Sequence, residues 1–224
     1  MTTPPHRKLF VAGSTGATGR TLMPLATARG VDIVPHLRPA SAQGRDLHPQ
    51  SAVLDLDDAA ALDAAMAGCT TVVQLIGTMR KRFSAGDTYE SSDIGTTRLL
   101  VESATRCGVD HVVLLSSVGA GKPTGAYLRA KARAESIVTG SGLDWTIFRP
   151  SSFAGEGHRP PPGMALFTRA LGMDRFRPIP IGQLAATILH VACTGEPRAT
   201  VLEGTSLWAQ VDAAATHVGP SSPV

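Results

Sequence analysis

Two groups of residues in the chain have types and spacings that can do chemistry. In Gly13-Ser14-Thr15-Gly16-Ala17-Thr18-Gly19, three glycines recur at every third position, directly after the apolar run Leu9 to Ala12. Where such a turn joins a strand to a helix, the first glycine permits the tight bend. The second lets backbone approach a pyrophosphate, and the third lets the helix pack closely on the sheet. The helix then offers the amides from about Gly16 to Thr18 to a diphosphate. The spacing is G-x-x-G-x-x-G and not G-x-G-x-x-G, so the strand before it and the helix after it carry the expectation of dinucleotide binding.

The second group is Ser116-Ser117 with Tyr127 and Lys131. Tyr127 and Lys131, four apart, share one helix face. An ammonium near a phenol favours the phenolate, so Tyr127 can exchange a proton with a carbonyl oxygen while hydride moves at a nicotinamide. Ser117, at the carboxyl end of a strand, would hydrogen-bond the same oxygen, with Ser116 as a less favoured substitute.

The end of the second strand discriminates between dinucleotides. An acidic residue about 20 positions beyond the glycines would hold the ribose 2′-hydroxyl of NAD. The chain has His36-Leu37-Arg38-Pro39 there, without a carboxylate. Arg38 can pair with a 2′-phosphate through its planar fork and stack on adenine, with Ser41 and Arg45 as helpers, so NADP(H) is favoured over NAD(H). Asp55 and Leu56 end the third strand, where they would reach the adenine edge; Asp55 can also cap the next helix. After the fourth strand, Ile76-Gly77-Thr78 would let the ribose or diphosphate pass close to backbone.

These residues need a scaffold, and the chain supplies an alternation of apolar runs and amphipathic segments. Strands are expected at Lys8 to Ala12, Asp32 to Leu37, Ala52 to Asp55, Thr71 to Ile76, His111 to Ser116, Asp144 to Phe148 and Thr200 to Leu202. Helices are expected at Gly16 to Ala28, Ala59 to Ala67, Ile94 to Cys107, Ala126 to Thr139 and Gly182 to Cys193. The fold class is α/β: a doubly wound, mostly parallel Rossmann sheet with a small C-terminal substrate lobe after Ser151. Residues 1–208 are expected to form one domain. Gly155 to Gly163 reads as a loop near the mouth of a site, and residues 209–224 as a flexible tail.

Composition narrows the function classes. With 224 residues, 43% apolar and 17% charged, the chain is neither disordered throughout nor a repeat array. A net charge of +3, scattered along the chain, gives no nucleic-acid footprint. No apolar run approaches the roughly 20 residues of a membrane span. Cys69, Cys107 and Cys193 stand alone in no metal-ligand spacing, which fits a reducing cytoplasm. Arg80-Lys-Arg82 and His158 read as solvated loop residues before they read as substrate contacts.

Several stretches together resemble the atypical short-chain dehydrogenase/reductase family, NmrA-like in style. They are Val11-Ala-Gly-Ser-Thr-Gly-Ala-Thr-Gly19, Asp93-Ile-Gly-Thr-Thr97, Gly108 to Gly119, Tyr127-Leu-Arg-Ala-Lys131 with Ala134-Glu135, and Ser141 to Ser151. The resemblance spans roughly residues 8 to 203. It implies a bound NADP or NAD, with Ser117, Tyr127 and Lys131 in the catalytic positions and Arg149, Pro150 and Ser151 near the nicotinamide. The chain departs from the family in a shorter stretch between Ser117 and Tyr127, and in Gln183 where an acidic residue is frequent. The expected activity is reduction of a carbonyl, or oxidation of an alcohol, on a small organic substrate. A nucleotide-sensing regulator or assembly factor and a sugar-nucleotide epimerase or dehydratase are the alternatives. Helices 94–107 and 126–139 are the candidate dimer faces if the chain is a homodimer and not a monomer.

Overall fold

Strand β1 (Lys8–Ala12) shows in five residues how the sheet is built. Its side chains alternate, so Leu9 and Val11 enter one apolar cluster while Phe10 and Ala12 enter another on the opposite face. A strand buried on both faces requires helices on both. The computed structural model describes residues 7–77, 88–154 and 173–216. Along them follow α1 (Ala17–Ala28), β2 (Asp32–Leu37), the single turn α2 (Pro39–Ala42), β3 (Ala52–Val53), α3 (Ala59–Met66) and β4 (Thr71–Gln74). A π-helical segment, Glu90–Gly95, leads into α4 (Thr96–Arg106), β5 (His111–Leu115), α5 (Gly125–Thr139) and β6 (Asp144–Phe148). The last elements are β7 (Phe153–Ala154), β8 (Ile179–Pro180), α6 (Ile181–Thr194), β9 (Thr200–Leu202) and α7 (Thr205–Thr216).

Seven of these strands form one sheet in the order β3-β2-β1-β4-β5-β6-β9, with every neighbouring pair parallel. This is the expected doubly wound Rossmann architecture. The chain runs outward from β1 through β2 to β3, then returns to place β4 on the other side of β1. The crossovers therefore diverge between β1 and β4 and open a crevice at their carboxyl ends. On one face α1 and α6 pack side by side, burying Leu22, Ala26, Leu184 and Ile188 against Leu9, Val11, Val113 and Phe148. On the other, α3 and α4 cover Phe10, Val34 and Val72, and α5 covers Val112, Leu114 and Ile147.

The segment after Ser151 divides in a way that periodicity leaves open. β7 and β8 pair in a small parallel ladder apart from the main sheet, while α6 belongs to the core, with Leu184, Ile188 and Leu189 fully buried. Residues 209–216, expected to fray, are instead helical: α7 buries Leu207, Trp208, Val211 and Ala214 against the α6 face. That apolar spacing at 3, 4 and 7 is the physical reason for the correction. Residues 217–224 and the loop expected at Gly155 to Gly163 lie outside the described residues, as do Arg80-Lys-Arg82 and His158. Among the described residues, no helix is long and apolar enough to cross a membrane.

At the amino edge of the sheet, His111 is fully buried. Its Nε2 lies 2.9 Å from Thr146 Oγ1, and that hydroxyl donates to the Pro197 carbonyl. The ring therefore donates from Nε2, and Nδ1 has no partner among the described residues. Protonating Nδ1 would bury a charge, with Arg7 and Arg198 adding repulsion, so burial first and these cations second lower the His111 pKa from 6.5 to about 4. A lowered folded value means that the stability contributed by neutral His111 is present above pH 6.5 and is lost as pH falls toward 4. Asp63, held down to about 2 by hydrogen bonds from Arg106 and Ser103, keeps its pairing through that window. Urea denaturation at pH 7.5 and pH 4.5 should show a loss of about 2–3 kcal/mol attributable to His111. His111→Asn, which has nothing to titrate, should remove that part of the pH dependence.

Candidate functional site

The crevice is shaped first by glycines. Gly13 has φ +91°, and a Cβ on it would lie 2.9 Å from the Ile76 amide nitrogen. A Cβ on Gly19 would lie 2.7 Å from Ser14 Cα, closer than packed carbon atoms approach. Gly16 closes the turn by donating its amide to the Gly13 carbonyl at 3.0 Å. It then starts α1 with extended backbone and no side-chain cap. The first amides of the helix, from Ala17 to Gly19, thus have no partner from the helix itself. Thr18 is buried against the sheet, whereas Gly16 is exposed at the mouth.

Ser14 Oγ donates to the His36 carbonyl at 2.7 Å and straps the turn to the end of β2. His36 sits beneath, its Nε2 3.0 Å from the Leu54 carbonyl, and burial lowers its pKa from the ordinary histidine value. Above this floor lies a cavity of about 420 Å³. It joins Gly13, Thr15 and Gly16 to Arg38 and Ser41 after β2, Asp55 and Leu56 after β3, and Ile76 and Gly77 after β4. The expected nucleotide contacts thus converge from four parts of the chain. Thr78 falls outside the described residues. The residues fit a dinucleotide: uncapped amides and a glycine turn for the diphosphate, and a guanidinium beside two apolar side chains for the adenosine.

Gly77, on the cavity wall, stands next to α5. A Cβ there would lie 2.9 Å from Lys131 Nζ. That ammonium is nearly water-free, its side chain 7% exposed, and it pairs with the buried Asp93 carboxylate at 2.7 Å. It also donates to the Leu115 carbonyl at 3.2 Å. One turn earlier on α5, Tyr127 is 37% exposed, with Lys131 Nζ 6.0 Å from its ring centre. Tyr89, just before the π-helical segment, meets that ring at 5.6 Å between centroids and 58° between planes. Two pairs four residues apart therefore face each other, Tyr89 with Tyr127 and Asp93 with Lys131. The widened turn that carries them is bonded from the Thr96 amide to the Ser91 carbonyl.

The serines divide differently. Ser116 is buried and donates to Glu135, so its hydroxyl is committed to the scaffold. Ser117 is half-buried, and among the described residues its hydroxyl makes only a 3.4 Å contact to the Val118 carbonyl. Glu135 in turn receives Arg149 through Nε at 2.9 Å and Nη2 at 2.5 Å. Arg149 also reaches Glu203 at 3.2 Å, and Glu203 reaches Arg175 at 2.5 Å. Hydrogen bonds from Arg149 to Glu135 and Glu203 hold its guanidinium more firmly charged than usual. Ser151 Oγ donates to the Arg177 carbonyl at 2.8 Å, and buried Pro150 accepts the Val118 amide at 2.9 Å.

Residue-by-residue reading passes over Asp93, Tyr89 and Glu135 as site residues. Asp93 and Glu135 do lie inside the stretches that carry the family resemblance, and Glu135 stands one turn after Lys131; Tyr89 has no such signal. Asp93→Ala would leave Lys131 buried without its carboxylate, which should cost roughly 3 kcal/mol in urea denaturation. The glycine turn does not touch that pair, so NADPH affinity should fall less than stability does.

A search of curated proteins finds no match to the sequence. Among solved structures, an NADPH-dependent quinone oxidoreductase of Escherichia coli, complexed with NADPH, has a TM-score of 0.64 at 18% identity, covering 93% of this chain and 75% of that one. The enzyme WbmH of Bordetella bronchiseptica, in complex with NAD+, gives 0.65 at 17% identity, covering 97% and 83%. A nucleoside-diphosphate-sugar epimerase of Staphylococcus aureus gives 0.63 at 17%, covering 93% and 77%. At these identities the likeness is one of fold. The NAD(P)H-binding family, by contrast, matches in sequence over residues 13–191, from the first glycine of the turn to the last turn but one of α6. With the crevice geometry and that match in agreement, the chain belongs to the NAD(P)H-binding family.

Proposed function

We propose that the protein is an NADP(H)-dependent oxidoreductase that interconverts a carbonyl and an alcohol on a small organic substrate. The observation that carries this reading is the position of Lys131. Its ammonium lies against Gly77, which lines the nucleotide cavity, and one helical turn from the half-open phenol of Tyr127. A nicotinamide in the crevice supplies the hydride. The rest of the chemistry belongs to the chain. Tyr127 donates the proton to the carbonyl oxygen, Ser117 hydrogen-bonds that oxygen, and Lys131 holds the ribose with the donor left over from Asp93 and Leu115. Ser116, Pro150 and Ser151 support the wall of the site through the bonds already described. Ser116 and Ser151 each keep lone pairs that can accept from the nucleotide while those bonds hold them in place.

The preference for NADP(H) rests on Arg38. It is exposed at the cavity rim, at the end of β2, where a carboxylate would repel a 2′-phosphate. Neighbours of the same fold carry NADPH in one case and NAD+ in another, so they do not decide the matter. Titration with both dinucleotides should show tighter binding of NADPH. Arg38→Ala should remove most of that preference while leaving NADH affinity within about twofold, as expected for one charge-assisted phosphate contact worth roughly 1.5–3 kcal/mol.

Turnover is tested by a panel of carbonyl compounds read at the nicotinamide absorbance. Tyr127→Phe should abolish NADPH oxidation and leave NADPH affinity nearly intact; unchanged turnover would remove Tyr127 from the role. Tight NADPH binding with no oxidation by any carbonyl would assign the chain to nucleotide-binding regulators instead.

A further inference from the structure

Tyr89 is a side chain seated against Tyr127 that neither the nucleotide cavity nor the proposed chemistry employs. A proton donor must bring its hydroxyl to about 2.6–3.2 Å from the carbonyl oxygen. The substituents of that carbonyl then fall within about a ring's width of Tyr127, and Tyr89, 5.6 Å away between centroids, stands at that distance. The two rings are inclined at 58° and so form a corner. Both are accessible, Tyr127 exposed and Tyr89 half-buried. The corner is built on firm ground, because Tyr89 directly precedes the π-helical segment that the buried Asp93–Lys131 pair fixes four residues later.

We propose that Tyr89 determines substrate specificity, and that the Tyr89–Tyr127 corner selects carbonyls conjugated to a planar ring over saturated ones. A flat ring can lie offset against one tyrosine and edge-on to the other at the 4.5–7 Å separations that aromatic pairs favour. A saturated ring of equal size gains area burial alone. Hydride adds to the carbonyl carbon and the Tyr127 proton to its oxygen for either ketone, so Tyr89 acts on binding and not on the bond changes. The inference rests on Tyr127 being the proton donor proposed above.

The test compares acetophenone with cyclohexyl methyl ketone, which share their connectivity and differ in ring planarity, using the full chain with NADPH. Tyr89→Leu should raise KM for acetophenone about 3- to 10-fold, the scale of one aromatic contact. It should leave KM for cyclohexyl methyl ketone within about twofold and kcat unchanged for both. Tyr89→Phe should behave as the parent, and Tyr89→Met replaces Tyr89→Leu if the latter does not fold. Equal changes on both ketones, or none on acetophenone, would overturn the role of Tyr89 while leaving the oxidoreductase reading standing. If the parent reduces neither ketone, saturation-transfer NMR of both with the NADPH-bound chain separates the remaining outcomes. Acetophenone binding that is lost in Tyr89→Leu keeps the corner as the ring-selecting element, and the carbonyl panel above then decides the oxidoreductase reading separately. Binding indifferent to Tyr89, or no acetophenone binding, overturns the corner.

Discussion

The Lys131 ammonium lies where water does not reach, and the carboxyl edge of the sheet is arranged around that fact. An isolated buried charge costs several kcal/mol, and attraction to a partner offsets this only when the partner is close and the remaining donors are satisfied. Asp93 supplies the partner at 2.7 Å and the Leu115 carbonyl takes a second donor. To bring Asp93 there, the chain enters α4 through a π-helical turn. To leave room for the ammonium, the third residue after β4 must be a glycine, Gly77. One ion pair therefore fixes how the ends of β4 and β5, the start of α4 and the middle of α5 meet.

A second pairing on the same helix completes the frame. Glu135, one turn beyond Lys131, is a buried anion where Lys131 is a buried cation, and it is completed from other elements by Arg149 of the β6 end and Ser116 of the β5 end. Arg149 extends the network to Glu203 and so to Arg175 beside the small β7–β8 ladder. The middle of α5 is thus held at two points by charge-assisted bonds, which fix orientation as well as distance. Its first turn carries Tyr127, whose ring meets Tyr89 and lies 6.0 Å from Lys131 Nζ.

Much of this frame is legible in the sequence, and the boundary of legibility is physical. β1 and β5 announce themselves as short apolar runs because both their faces are buried, and the glycine turn because Gly13 and Gly19 occupy places where no Cβ fits. Tyr127 and Lys131 are readable as a pair because periodicity within one helix is a local property. The pairing of Asp93 with Lys131 is not local: it depends on the register of a π turn against α5, 38 positions away in sequence. The partners of hydroxyls are non-local as well: Ser116 donates to Glu135 and Ser151 to the Arg177 carbonyl. α7 escapes notice because a tail rich in Gly, Pro and Ser begins only after its buried Trp208 and Val211.

The two halves of the site follow from different constraints, and this makes them separable. The nucleotide half is set by backbone: a positive φ at Gly13, the missing Cβ of Gly19 and the uncapped start of α1 at the switch point between β1 and β4. Any chain that keeps those features keeps the cradle, whichever side chains stand on α5. The half proposed to react is set by side chains that must be desolvated, paired and aimed, and it depends on elements contributed from Tyr89 to Glu203. A family that retains the first half while varying the second can hold the same dinucleotide and present different groups to whatever lies beside it. In this chain the second half retains a buried cation, a half-open phenol and an aromatic neighbour, which is more than holding a nucleotide alone requires.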